Sequence, residues 1–236
     1  MSGKKNISVA IDGPAGAGKS TIAKLVARAF GLEYADTGAM YRGVALVARR
    51  AGVAADDEAA LSRIASEAVF SFEAVERGGS LVNRVFINGE EVTDAIREPE
   101  ISSTASTVSA LSGVRAALVA KQKQMGAAGG VAMEGRDIGS VVLPDAEVKI
   151  FLTASPEARA RRRHLELLAA GKSADYDTVL KEISERDQRD ATRADSPLKQ
   201  ADDAALVDTD NLSIEQVVSH ICDIVTEKTG RRPLTA

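Results

Sequence analysis

Cysteine occurs once in this 236-residue chain, histidine twice and tryptophan not at all. One cysteine closes no internal disulfide, and one cysteine with two histidines builds no four-ligand zinc site, so neither a staple nor a structural metal explains the fold. No apolar run approaches the roughly 18 residues that a membrane span needs. The N-terminal MSGKKNISVAIDG passes from a short basic lead straight into an apolar run, which leaves no room for a signal peptide and sets the expectation of a cytoplasmic protein with no membrane partner. A net charge of −4 argues against nucleic acid as the main partner, because that binding rests on neutralising phosphates. Also missing are an Asn-Lys-x-Asp element and an Asp-x-x-Gly switch, which disfavours a regulatory GTPase.

What is present is an ordinary globular composition, 44% hydrophobic and 27% charged, on a chain long enough for one generous domain. Its most informative segment is Gly13, Pro14, Ala15, Gly16, Ala17, Gly18, Lys19, Ser20, Thr21, directly after the apolar Ile7, Val9, Ala10 and Ile11. A buried strand, a glycine turn spaced G-x-x-x-x-G-K-S and an apolar-periodic helix together make a P-loop in its required context. The backbone amides of Gly16, Gly18, Lys19 and Ser20 can converge on a phosphate at a helix N-terminus. Lys19 is then expected to reach the β/γ-phosphates, and the Ser20 hydroxyl to ligate Mg²⁺. Asp12, Asp36 and Glu134 are candidates for outer-shell support of that metal, and the sequence does not choose among them.

The remaining pattern is βα repeated with one interruption. Strands are expected at Asn6 to Ile11, Leu32 to Ala35, Val131 to Met133, Val148 to Leu152 and Ala205 to Val207. Helices are expected at Ser20 to Phe30 with Gly31 as C-cap, from Ala39 to Arg50 behind Asp36, and from Asp57 to about Ala68. Others should run from Pro99 through Gln124 with a break near Ser112-Gly113, from Tyr176 to Arg193, and from Ser213 to Lys228, with an arginine-rich helix ending before Gly171. Between them, Ala68 to Ala74 and Ser80 to Ile87 alternate as strands around an Arg77-Gly78-Gly79 turn, and Asn88-Gly89 signals a second hairpin. The fold class is therefore α/β, a P-loop NTPase-type parallel sheet of about five strands covered by helices on both faces. A small antiparallel insertion at about 68–99 and a mobile helical lid at about 159–193 interrupt a core of 1–67, 100–158 and 194–236. Cys222 reads as core filler on the last helix, and His164 and His220 as surface or boundary residues.

Arginine is concentrated on this acidic chain. Arg186, Arg189, Asp190 and Arg193 fall on one helical face, as do Arg159, Arg162 and Arg163 just before a glycine-containing segment. Such spacing suits a clamp and lid around phosphates, and it suits a salt-bridged solvated face equally well. Arg136 and Asp137 leave the C-terminal end of a parallel strand, where ligands gather in open α/β sheets.

Five segments in order, the P-loop with its preceding Asp12, DTGAMYR at Asp36 to Arg42, EGRDIG at Glu134 to Gly139, VKIFLTA at Val148 to Ala154 and ERDQRD at Glu185 to Asp190, closely resemble the bacterial cytidylate kinases. The resemblance runs nearly end to end and includes the β insertion, which in that family enlarges the monophosphate lobe. It implies a Mg²⁺-dependent kinase passing the ATP γ-phosphoryl group to CMP or dCMP, small-molecule substrates with no nucleic acid. A monomer is expected, since no large exposed apolar surface is evident. In this resemblance Thr37, Tyr41 and Arg42 meet the nucleoside monophosphate, while Ser106, Arg115 and Asp137 read the cytosine edge. Arg136, Arg186 and Arg193 form the phosphate clamp and share catalysis with Lys19, Asp190 accepts from a ribose hydroxyl, and Arg162 lies over adenine. Ser106 and Arg115 also read, by position alone, as ordinary solvated residues.

Overall fold

In a computed structural model, residues 6–77, 80–193 and 195–234 are described. The first half contains β1 (Ser8–Asp12), α1 (Lys19–Phe30), β2 (Glu33–Asp36), α2 (Thr37–Arg50), α3 (Glu58–Glu67), β3 (Phe70–Arg77), β4 (Ser80–Ile87), β5 (Glu90–Glu91), α4 (Pro99–Val108) and α5 (Ser112–Gly126). The second half contains β6 (Val131–Gly135), β7 (Val148–Thr153), α6 (Pro156–Ala169), α7 (Tyr176–Thr192), β8 (Ala205–Asp208) and α8 (Ile214–Thr229). The chain divides into two compact units, 1–33 with 129–236, and 34–128.

Five strands form one sheet in the order β2-β6-β1-β7-β8. Pairing is parallel for β1 with β6, β1 with β7 and β7 with β8, with Ile11 opposite Glu134 and Asp12 opposite Gly135. Every residue of β1 and β6 is buried, and the apolar runs at 9–11 and 131–133 are those of a sheet covered on both faces. In the first unit Val9, Ile11, Ile22, Val26, Phe30, Met133, Ile150, Leu152 and Ile221 are all removed from water. Local signals fix the ends of its helices. Gly31 takes a left-handed conformation (φ 61°) and closes α1, and Ser213 with Gln216 makes a reciprocal capping box on α8.

The second unit packs α2, α3, α4 and α5 with the antiparallel sheet β3-β4-β5 around Met40, Val44, Leu61, Val85, Ile87, Ile101, Val108 and Leu118. Asn88 and Gly89 both have positive φ (51° and 85°), the type I′ turn that the dipeptide signals between β4 and β5. The turn expected at Arg77-Gly78-Gly79 lies partly outside the described residues.

One local expectation is sharpened and one is corrected. The break in the long helix falls at 109–111, ahead of Ser112-Gly113, and those two residues open α5. Gly113 is there for close approach: a Cβ would stand 2.3 Å from the Ser62 Oγ, and its amide donates to Glu58 Oε1 at 2.8 Å. Cys222 is half-buried rather than core.

Candidate active site

The loop between β1 and α1 is shaped by what its glycines lack. A Cβ on Gly13 (φ 148°) would lie 2.0 Å from the backbone oxygen of Leu152, so the chain leaves β1 along a path that only glycine can follow. Gly18 (φ 86°) is the N-cap of α1 and carries no capping side chain, which leaves the first amides of the helix to an outside acceptor. Lys19 is buried, and its ammonium donates to the Pro14 carbonyl at 2.7 Å across the loop. Burial, then the positive charges of Arg136 and Arg186, push its pKa down to about 7 against the pull of Glu134 and Asp12. An anion entering there relieves this repulsion and restores the full ammonium charge. Ser20 and Thr21 are exposed beside it.

The arginines of the first unit divide into working sets. Arg136 Nε donates to Asp190 Oδ2 at 2.8 Å, and Arg193 stands 3.8 Å from Asp137. Burial alone would raise the Asp190 carboxyl, but Arg136, with Arg186 and Arg193 beyond it, holds it below the usual range. The structure thus brings Lys19, Glu134, Arg136, Asp137, Arg186, Asp190 and Arg193 into one electrostatic group. Arg193 joins it from the C-cap of α7, in extended backbone, and not from the shared helical face that its spacing suggests. Arg189, by contrast, is exposed.

The lid arginines do not share a face in function. Arg159 is buried and joins Asp187 Oδ1 at 3.0 Å, with a second bond from Nη2 to Oδ2, so it is an internal strut. Arg162 donates to the hydroxyl and carbonyl of Thr209 at the end of β8, and Arg163 pairs with Glu166 on its own helix. Asp187 and Thr209 were not singled out by sequence reasoning. Asp187 lies inside the quoted ERDQRD segment, directly after Arg186, and that adjacency was its only signal.

Asp12 has a structural task that the sequence did not signal. Its two carboxylate oxygens accept the amides of Ile138 and Gly139 at 2.8 and 2.7 Å, fixing the π-turn (Ile138–Val142) that follows Asp137. Burial pushes this carboxyl up to about 6, over the opposing effect of the two amides.

In the second unit, Asp36 caps α2 by accepting the Ala39 amide at 2.9 Å and pairs with Arg42 at 2.8 Å. Burial would raise the Asp36 carboxyl, but Arg42 and the Ala39 amide hold it low. Both of its oxygens are engaged, one by the Ala39 amide and one by Arg42. Thr37 is buried at the first position of α2, and Tyr41 one turn on places its ring 5.9 Å from the buried Arg115 guanidinium. Two buried polar atoms here, Ser106 Oγ and Arg42 Nε, have no hydrogen-bond partner among the described residues. Unsatisfied buried groups are costly and mark places where a ligand completes the bonding.

Among the described residues no cluster of three or more His, Cys, Asp or Glu could hold a metal by itself. Magnesium fits such a site, because it keeps waters and takes substrate phosphates with one or two protein oxygens. The exposed Ser20 hydroxyl and the buried Glu134 beside Lys19 are the residues whose chemistry suits it.

An amide-lined glycine loop ending in Lys-Ser at the carboxyl end of a central parallel strand, with arginines grouped around it, defines a P-loop phosphotransferase class. The chain belongs to the cytidylate kinase family, whose model matches residues 9–227. A cytidylate kinase from Geobacillus sp. (strain WCH70) is 49% identical over 96% of this chain and its own full length. Another, from Pelotomaculum thermopropionicum, is 50% identical over 95% of this chain and 97% of its own. A solved structure of an uncharacterized protein from Eubacterium ventriosum, 12% identical, superposes with a TM-score of 0.50 over 94% of this chain and 99% of that one, a likeness of fold alone.

Proposed function

We propose that this protein transfers the γ-phosphoryl group of ATP to CMP or dCMP, giving ADP and CDP or dCDP. Membership of the cytidylate kinase family supports the reaction, and the single structural observation that carries it is the buried Lys19 held across the phosphate loop on the Pro14 carbonyl, beside Arg136 and Arg186. Phosphoryl transfer asks a protein mainly to position two anionic substrates and to neutralise charge in transit. In this reading the Gly13 to Thr21 loop takes the ATP phosphates and Lys19 follows the group being transferred. Arg136, Arg186 and Arg193 exchange their carboxylate partners for substrate phosphates, and Asp190, released from Arg136, accepts from ribose. Arg162 covers adenine, and segment 159–193 closes as a lid that keeps water from the phosphoryl group. Magnesium, held through Ser20 with Glu134 behind it, supplies charge neutralisation on the phosphate oxygens when bound.

Thr37, Tyr41 and Arg42 meet the monophosphate, the orphaned Arg42 Nε gaining an acceptor there. Ser106, Arg115 and Asp137 read cytosine, whose ring offers acceptors at N3 and O2 beside an N4 donor. Uracil reverses the donor and leaves a carboxylate unpaired, a loss of about 1–3 kcal/mol in a buried site. The protein works as a cytoplasmic monomer without nucleic acid.

The test is a coupled assay of ADP release with ATP and Mg²⁺ against CMP, dCMP, UMP, AMP, GMP and shikimate. Turnover with CMP and dCMP well above the rest is expected, and Lys19→Met should lower kcat by orders of magnitude at unchanged far-ultraviolet dichroism. A protein that binds ATP but turns over nothing on the panel would instead be a nucleotide-dependent binding module. Asp137→Asn should narrow the preference for CMP over UMP, and an unchanged ratio of kcat/KM would remove Asp137 from base reading.

A further inference from the structure

Arg159 is 3% exposed, and its guanidinium is held by four hydrogen bonds. Nε donates to the Ala154 carbonyl at 2.9 Å, Nη1 to the Ala15 carbonyl at 3.1 Å and to Asp187 Oδ1 at 3.0 Å, and Nη2 to Asp187 Oδ2. Ala154 ends the β7 connection, Ala15 is the middle of the phosphate loop, and Asp187 is on α7. The loop is moulded to this side chain: a Cβ on Gly16 would stand 3.2 Å from that of Arg159. Asp187 in turn follows Arg186, whose charge reaches both Lys19 and Asp190.

We propose that Arg159 is a positioning residue for phosphoryl transfer, holding the phosphate loop and α7 in fixed register so that Arg186 is presented correctly to Lys19. The inference rests on the reading that Arg186 works at the phosphates. A buried guanidinium locked by a bidentate carboxylate and two carbonyls is expensive to assemble and costly to break, which gives it the stiffness of a strut. Arginine is required because its planar fork meets three directions at once, whereas a lysine ammonium is a point charge on a flexible stem. The base of the arginine-rich helix and Asp187 on α7 are thereby fixed to the loop, which narrows closure of segment 159–193 to the chain between those two residues.

The experiment compares kcat and both KM values of Arg159→Lys, Arg186→Ala and the double variant, each checked by thermal melting. Misplacement of a charge by about 1 Å costs up to about 100-fold in rate, so Arg159→Lys should lower kcat about 10- to 100-fold while the KM for CMP moves less than about threefold. Because the residue acts through Arg186, the double variant should be no slower than Arg186→Ala alone. Multiplicative losses, or wild-type kcat in Arg159→Lys, would overturn the inference. If Arg186→Ala keeps wild-type turnover, the phosphate-clamp reading of Arg186 fails and the inference falls with it. Should Arg159→Lys not fold, Asp187→Asn carries the same comparison from the other side of the pair, with the same non-additive outcome expected.

Discussion

Replacing Asp12 with asparagine separates burial from hydrogen bonding at the turn that carries Asp137. In the folded protein the carboxyl is pushed from 3.8 to about 6, chiefly by burial and against the amides of Ile138 and Gly139. The native state therefore binds a proton more tightly than the unfolded chain. Stability from this proton is fully present below pH 3.8 and is lost as the pH rises through about 6. The rise from 3.8 to about 6 corresponds to about 3 kcal/mol in full, of which about 2 kcal/mol separates a measurement at about pH 4.5 from one at about pH 7.5. Asparagine accepts one amide through its oxygen and turns an NH₂ donor toward the other, a loss of about 1–3 kcal/mol against the ionised carboxylate. The variant should thus be less stable throughout, and its deficit should be about 2 kcal/mol larger at the acid pH, where wild type gains the proton and asparagine cannot. Urea unfolding of both proteins at both pH values, followed by far-ultraviolet dichroism and by tyrosine fluorescence, reads this double difference, and coincident transitions license the free energies. A deficit that is equal at the two pH values, or larger near neutrality, would show that the two amides govern Asp12 and that the burial argument is wrong.

Gly43→Ala should destabilise the second unit by about 1–3 kcal/mol through overpacking, since the new methyl would meet Ile87 Cδ1 at 2.5 Å and Phe70 Cε1 at 2.9 Å. Urea midpoints check it, and an unchanged midpoint would mean that β4 moves aside freely. The half-buried Cys222 thiol is raised by burial and by Asp223, so it should react with Ellman's reagent about tenfold more slowly than a free thiol at neutral pH and at the free rate in urea. Full-speed labelling of the folded protein would refute that environment.

The phosphate loop was legible because its chemistry is local. Strand, glycines, lysine and hydroxyl sit within a dozen residues, and backbone geometry does the rest. Helix ends at Gly31, Asp36 and Ser213 and the Asn88-Gly89 turn were equally readable, each being a bond or a positive φ between near neighbours in the chain. Arginine spacing was less informative, since a helical face says which side chains align and not what they meet. Arg159, Arg162 and Arg163 share a period, and tertiary contacts send one to Asp187, one to Thr209 and one to Glu166.

The sequence by itself determined an α/β chain with a phosphate loop, an antiparallel insertion and a surplus of arginine in two places, because periodicity, turn chemistry and motif spacing act over a few residues. Only the tertiary structure decided which carboxylate each arginine faces. It set both oxygens of Asp12 against the amides of the turn after Asp137, and it placed a lid arginine on Asp187. Those outcomes depend on partners 28 and 126 residues apart in the chain. Burial strengthens such pairings and makes any unpaired charge costly, and no local pattern encodes which distant groups will be buried together.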